Sequence, residues 1–163
     1  MYAIMDPVKY MGLSGYTEYH ASQVELMYLL GAEKVTDTIT DKNMNSIIAT
    51  FPNDKTVLEY LLSKHQFVVD MMSRINFPEN SEALKTTVGV MYNYWGLRSI
   101  CKMHLKDYIE SVNNTAIVQI LPFDYFSLMN IFIDGWFDKS KVEMSFAPYY
   151  KAIFPIIKEK NLI

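Results

Sequence analysis

Cys101, His104 and Asp107 stand at i, i+3 and i+6 in the sequence. Thiolate, imidazole and carboxylate are all transition-metal ligands, and a three-residue step along a helix puts the first two on one face. A zinc site needs a further ligand, for which Asp70, Glu79 and Glu82 are acidic candidates. Without a metal, Cys101 with His104 as its base has the makings of a nucleophile. Against both readings, free cysteine is among the most buried residue types and usually packs as a small hydrophobe. The expectation is therefore no metal and no cofactor, with Cys101, His104 and Asp107 as the metal candidates.

Two further groups invite the same question. His65 lies on an apolar helical stripe, where a haem ligand or a general base can sit, but a haem pocket also wants a distal polar group and a large apolar cavity. It reads as a neutral imidazole hydrogen-bonded in or beside the core, and His20 reads as solvent-facing. Asp134 and Asp138 flank Trp136 at i, i+4 and have the types needed for paired acid–base work; they read as ordinary charges at a helix end. Asn113–Asn114–Thr115 fits a glycosylation acceptor, yet the N-terminus lacks the basic start and apolar core of a secretory signal, so it reads as a turn. No glycine spacing matches a phosphate loop or a dinucleotide fingerprint, and neither His-Glu-x-x-His nor paired Cys-x-x-Cys occurs. No enzymatic activity is expected.

The elements that would position these residues follow from periodicity. Thr17 caps a first helix with Ala21, Val24, Met27 or Tyr28, and Leu30 inward, either stopped at Gly31 or continued through Glu33, Lys34 and Val35. Thr40 caps a second, with Met44, Ile47, Ile48 and Phe51 at i, i+3, i+4, i+7, stopped by Pro52. Asn53 or Asp54 caps a third, whose stripe is Val57, Leu61, His65, Val68, Met72 and Ile75. Asn80 or Ser81 opens the longest helix, about 82–112, burying Leu84, Val88, Met91 and Trp95, then Leu97, Cys101, Leu105, Tyr108 and Val112. Gly89 and Gly96 share a face there, where another helix can approach closely; alternatively Gly96 marks a kink or a break. A helix over about 123–137 is apolar nearly all round, as in the middle of a bundle. The expected fold is all-α: one domain over 1–163, a bundle of six or seven helices, with residues 1–16 an irregular lead-in and 158–163 a frayed tail.

Composition sets the remaining bounds. Half of the 163 residues are apolar and a fifth are charged, enough for a real core. The net charge is −3, from 15 basic and 18 acidic residues. The densest basic patch, Arg98, Lys102 and Lys106, is diluted by Asp107 and Glu110, so no nucleic acid is expected as a partner. The uncharged run between Asp124 and Asp134 is nine residues, far short of the ~20 that span a bilayer. One cysteine excludes an internal disulfide and points to a reducing, cytoplasmic location, in a host cell or a virus particle. Scarce arginine beside abundant lysine, asparagine, isoleucine and tyrosine is what AT-rich coding produces, a habit of viral and phage genes. The 12 tyrosines, nine phenylalanines, two tryptophans and 11 methionines are types enriched at the centres of protein interfaces. The expected function is thus a helical protein–protein interaction or assembly module, self-associating or binding a protein partner, with Trp95, Arg98, Trp136, Tyr149 and Tyr150 as interface candidates.

Asn93–Tyr94–Trp95–Gly96–Leu97–Arg98 and Asp134–Gly135–Trp136 resemble the two homology motifs of the B-cell-lymphoma family of apoptosis regulators and its viral helical relatives. The family pattern is Asn-Trp-Gly-Arg and Gly-Gly-Trp; here Tyr94 and Leu97 interrupt the first, and one glycine precedes Trp136. Met27–Gly31–Ala32–Glu33 matches the family's short helical death motif equally loosely. The resemblance implies a viral inhibitor of apoptosis or innate signalling with a groove for a partner's amphipathic helix.

Overall fold

The computed structural model describes residues 7–109 and Glu159. Its described part is mainly helical, but it is not the expected bundle of six or seven helices. It holds three helices and one small antiparallel sheet: α1 (Pro7–Leu29), β1 (Ile47–Ile48), β2 (Lys55–Thr56), α2 (Val57–Met72) and α3 (Ser81–His104). The expected helix over 123–137, the frayed tail apart from Glu159, and the first six residues of the lead-in lie outside the described residues. Among the described residues, no helix is long and apolar enough to cross a membrane.

α1 starts at Pro7, well before Thr17, so residues 7–16 are helical rather than an irregular lead-in. Proline suits a first turn because its ring presets the helical φ and its missing N–H would have had no partner. Of the two ends the sequence allows, the structure takes the stop at Gly31 rather than a continuation through Val35. Gly31 has φ +94°, its N–H donates to the Tyr28 carbonyl at 2.9 Å, and the Ala32 N–H reaches back to Met27 at 3.0 Å. These two reversed bonds satisfy carbonyls that the last turn would leave open. The buried side is Tyr19, Ser22, Gln23, Leu26, Met27 and Leu30, rotated from the expected one; Ala21 and Tyr28 face water.

The largest correction falls on residues 40–51. Side chains there fold the backbone on itself: Asn45 N–H donates to Asn43 Oδ1 at 2.9 Å, and Asn43 N–H to Ser46 Oγ at 2.9 Å. Such local bonds compete with a helix. β-branched Ile47 and Ile48 then pair with Thr56 and Lys55, and alternate as strand residues do, Ile48 buried and Ile47 65% exposed. Residues 49–54 connect the strands, too long a loop to carry the short Asn-Gly or Asp-Gly sign of a hairpin.

Thr56, not Asn53 or Asp54, caps α2, in a reciprocal box: its hydroxyl accepts from the Glu59 N–H, and Glu59 accepts from the Thr56 N–H. Val57, Leu61 and Val68 of the expected stripe are buried, with Leu58, Val69 and Met72 packed against them. α2 ends at Met72, which leaves Ile75 99% exposed rather than inward.

α3 is the central element, though it ends at His104 rather than 112. Asn80 Oδ1 caps it by accepting from the Ala83 N–H at 2.8 Å. Leu84, Val88, Met91 and Trp95 are buried as expected, and from residue 94 to 101 every side chain is, because α1 packs on one side and α2 on another. α1 comes so close at Gly96 that a Cβ there would collide with the Tyr19 carbonyl, whereas Gly89 meets just the Glu18 side chain at an ordinary 3.7 Å.

Candidate functional site at the seam between α2 and α3

Tyr94, Arg98 and Cys101 follow one another at i, i+4 and i+7 on α3, a spacing that stacks them along one face. Arg98 is 0% exposed. Its guanidinium lies over the Tyr94 ring at 5.3 Å, and its Nε–H donates to the Tyr108 hydroxyl at 3.2 Å. A cation desolvated over an aromatic face gains about 2 kcal/mol, and a planar guanidinium suits such stacking better than an ammonium. From α2, His65 brings its ring to 5.3 Å from the same Tyr94, tilted at 56°. The seam therefore holds a line of imidazole, phenol, guanidinium and phenol.

Burial governs the protonation of these groups. It pushes the Tyr94 hydroxyl up, out of reach of ordinary titration. It pulls His65 below its usual 6.5, helped by the Arg98 charge, so the imidazole is held neutral. His65 Nε2 is buried and, among the described residues, accepts or donates no hydrogen bond. The expected core histidine is thus half-buried, its imidazole held neutral, and Nε2 does not carry the hydrogen bond foreseen for the ring.

The Cys101, His104 and Asp107 trio does not converge. Cys101 sits in the core with its thiol pushed up to about 12, chiefly by burial, so little thiolate exists to attack or ligate. His104 is pulled down by burial. α3 has ended before Asp107, whose exposed carboxylate accepts the Met44 N–H through both oxygens, at 3.0 and 3.1 Å. The helical spacing that would have aligned all three breaks at Leu105. Among the described residues no three His, Cys, Asp or Glu side chains are placed to hold a metal. Asp70 is engaged by Gln66 at 2.7 Å and Glu79 pairs with Arg74 at 3.9 Å, both at the surface.

Of the interface candidates, Trp95 and Arg98 are 0% exposed. Trp95 meets Tyr92 edge-on at 5.5 Å and 90° inside the chain's own core. Trp136, Tyr149 and Tyr150 lie outside the described residues, as do Asp134, Asp138 and the Asn113 turn. His20 is exposed on α1 as expected, though in mid-helix.

Sequence reasoning did not find Tyr94, although its four-residue spacing to Arg98 is the signal that would have paired them. Nor did it find the α1–α3 bridges, where Ser22 Oγ–H donates to Asn93 Oδ1 at 2.7 Å and Gln23 Nε2 donates to Ser99 Oγ at 2.7 Å and to the Tyr19 hydroxyl at 3.2 Å. Surface cavities among the described residues include one of about 480 Å³ formed by residues 30–42, with Glu33, Asp37, Asp41 and Lys42 among its walls, and one of about 250 Å³ between Glu18 and the start of α3. In the first, Asp37 is already committed, accepting from the Glu33 and Lys34 N–H groups at 2.9 and 2.8 Å. Comparison of the chain with protein-family models, with curated proteins and with solved structures gives no match.

Proposed function

We propose that this chain is a non-enzymatic protein-interaction module that engages a protein surface through its β-hairpin. What supports the reading is the pair Ile47 and Phe51, 65% and 98% exposed. A single apolar side chain in water is commonplace. Two beside a sheet of two strands are different, because among the described residues each strand is paired along one edge alone. Open edges next to apolar side chains are what partners add to.

The partner is a second copy of this chain or another protein of an intracellular assembly; the single thiol, buried at Cys101, is in keeping with that setting. A photo-crosslinking residue at position 51, combined with mass measurement over a concentration series, tests the proposal. The expected result is an adduct formed from position 51, lost when Ile47→Asp is added while stability changes by no more than a surface substitution does, about 0.5 kcal/mol. A chain that stays monomeric throughout and forms no adduct from position 51 overturns it.

A further inference from the structure

We propose that the seam between α2 and α3 is a proton-operated joint, in which protonation of His65 beside Arg98 loosens α2 from α3 while α1 stays docked. The inference is independent of the hairpin reading. It starts from three observations in one place: the His65 ring packs on Tyr94, the Arg98 guanidinium lies over that same ring, and His65 Nε2 is buried without a hydrogen-bond partner among the described residues.

A neutral imidazole tolerates this setting, since one nitrogen then needs no proton. An imidazolium does not. Both its nitrogens become donors, one of them facing no acceptor, and its charge is taken from water into a seam that already contains a cation. Among the described residues, the groups facing His65 offer it no carboxylate. From α3 they are the Tyr94 ring and Arg98; beyond α3, Tyr108 is held by Arg98. One turn away on α2 itself stand Leu61, Leu62, Val68 and Val69, which carry no charge. The Glu25 carboxylate of α1 is engaged more than a turn away by the Tyr60 hydroxyl at 2.9 Å.

The proton linkage has a definite sign. Burial, and then Arg98, hold the folded imidazole below its ordinary 6.5. The stability tied to its neutral form is fully present above 6.5 and drains away as pH falls from there through the lowered folded value. α1 meets α3 through hydrogen bonds among Ser22, Gln23, Asn93 and Ser99, none of which titrates, with Glu18 at the edge of that seam against Gly89, so acid is expected to act first on the seam with α2.

The test uses the full chain. Thermal midpoints between about pH 7.5 and about pH 5 are compared for the native chain, His65→Gln and His104→Gln, with amide exchange read separately for α2 and α1. The native midpoint is expected to fall by several degrees, with α2 amides losing protection before those of α1. His65→Gln removes most of the fall and His104→Gln leaves it. A fall that survives His65→Gln, or that His104→Gln abolishes, overturns the proposal. Should His65→Gln not fold, the carbon-bound ring proton of His65 in the native chain decides: a midpoint below 6.5 upholds the joint, and one at or above 6.5 sinks it.

Discussion

α3 is held from two sides by opposite means. Toward α1 the contact is close and made of small or neutral polar groups: Gly96 under the Tyr19 carbonyl, Gly15 under the Tyr92 ring, and two side-chain bridges, one buried and one part-buried. Toward α2 it is made of large rings and a cation, with His65 half open to water. Close approach with specific neutral hydrogen bonds has one solution and fixes a helix pair in register. Bulky rings around ionisable groups fill space well but respond to protons. The first seam is where a change of volume does most harm, and the second is where a change of solvent does.

The heaviest loss is expected at the first seam. Gly96→Ala places a methyl against the backbone of α1, which cannot swing aside as a side chain can. Overpacking of this kind costs about 3 kcal/mol, and for a chain of this length that is a drop in melting midpoint of about 10 °C. Gly89→Ala, on the same face, meets the flexible Glu18 side chain and leaves the midpoint unchanged or raised. Equal losses at the two glycines would contradict the close approach.

That glycine was also the most legible part of the fold, because two glycines inside a long helix need a reason and close packing is the usual one. Gly31, Asn80 and the stripe Val57–Leu61–Val68 were readable on the same footing, each being a local rule that the tertiary structure happens to obey. Ser22, Gln23 and Ser99 were not. Their burial depends on a partner found 71 to 76 residues away, and polar side chains carry no hydropathy signal of being inside. The same blindness turned the buried side of α1 from Ala21 and Val24 to Tyr19 and Gln23. Residues 40–51 misled for a different reason. Met44, Ile47, Ile48 and Phe51 fit a helical period by count, while Asn43, Asn45 and Ser46 supply the side-chain bonds that prevent one. As for the site, the spacing of Cys101, His104 and Asp107 was correct on paper. It failed because the helix stops at His104, and no strong stop signal marks that point in the sequence.

A smaller effect sharpens the account of the first seam. Gln23→Leu keeps the volume but leaves Ser99 and Tyr19 without the amide that joins them. The expected cost is about 2 kcal/mol, the usual penalty for stripping a buried bond from one side. Ser99 keeps its own bond to the Gly96 carbonyl at 2.8 Å, so Ser99→Ala costs less. Their double-mutant cycle is expected to return a coupling of about 1 kcal/mol; additive effects would mean the bridge contributes nothing.

The smallest effect belongs to the cap of α2, and it separates two acid-sensitive steps on the same helix. Thr56→Ala removes the hydroxyl that accepts from the Glu59 N–H at 3.1 Å, for which an N-cap loss of about 1 kcal/mol is typical. It also withdraws one of the two donors that hold the Glu59 carboxyl below its ordinary 4.5, the Thr56 N–H being the larger influence and the hydroxyl the smaller. A depressed carboxyl contributes stability above 4.5 and loses it as pH falls through the lowered folded value. His65 acts from 6.5 downward, so acid reaches α2 in two stages, first at its seam and then at its cap. Melting midpoints followed down to about pH 3 should show Thr56→Ala weakening the lower stage and sparing the upper. If the upper stage shifted as well, cap and seam would be one cooperative unit, and the contrast between the two sides of α3 would have to be drawn around the whole of α2 rather than around His65.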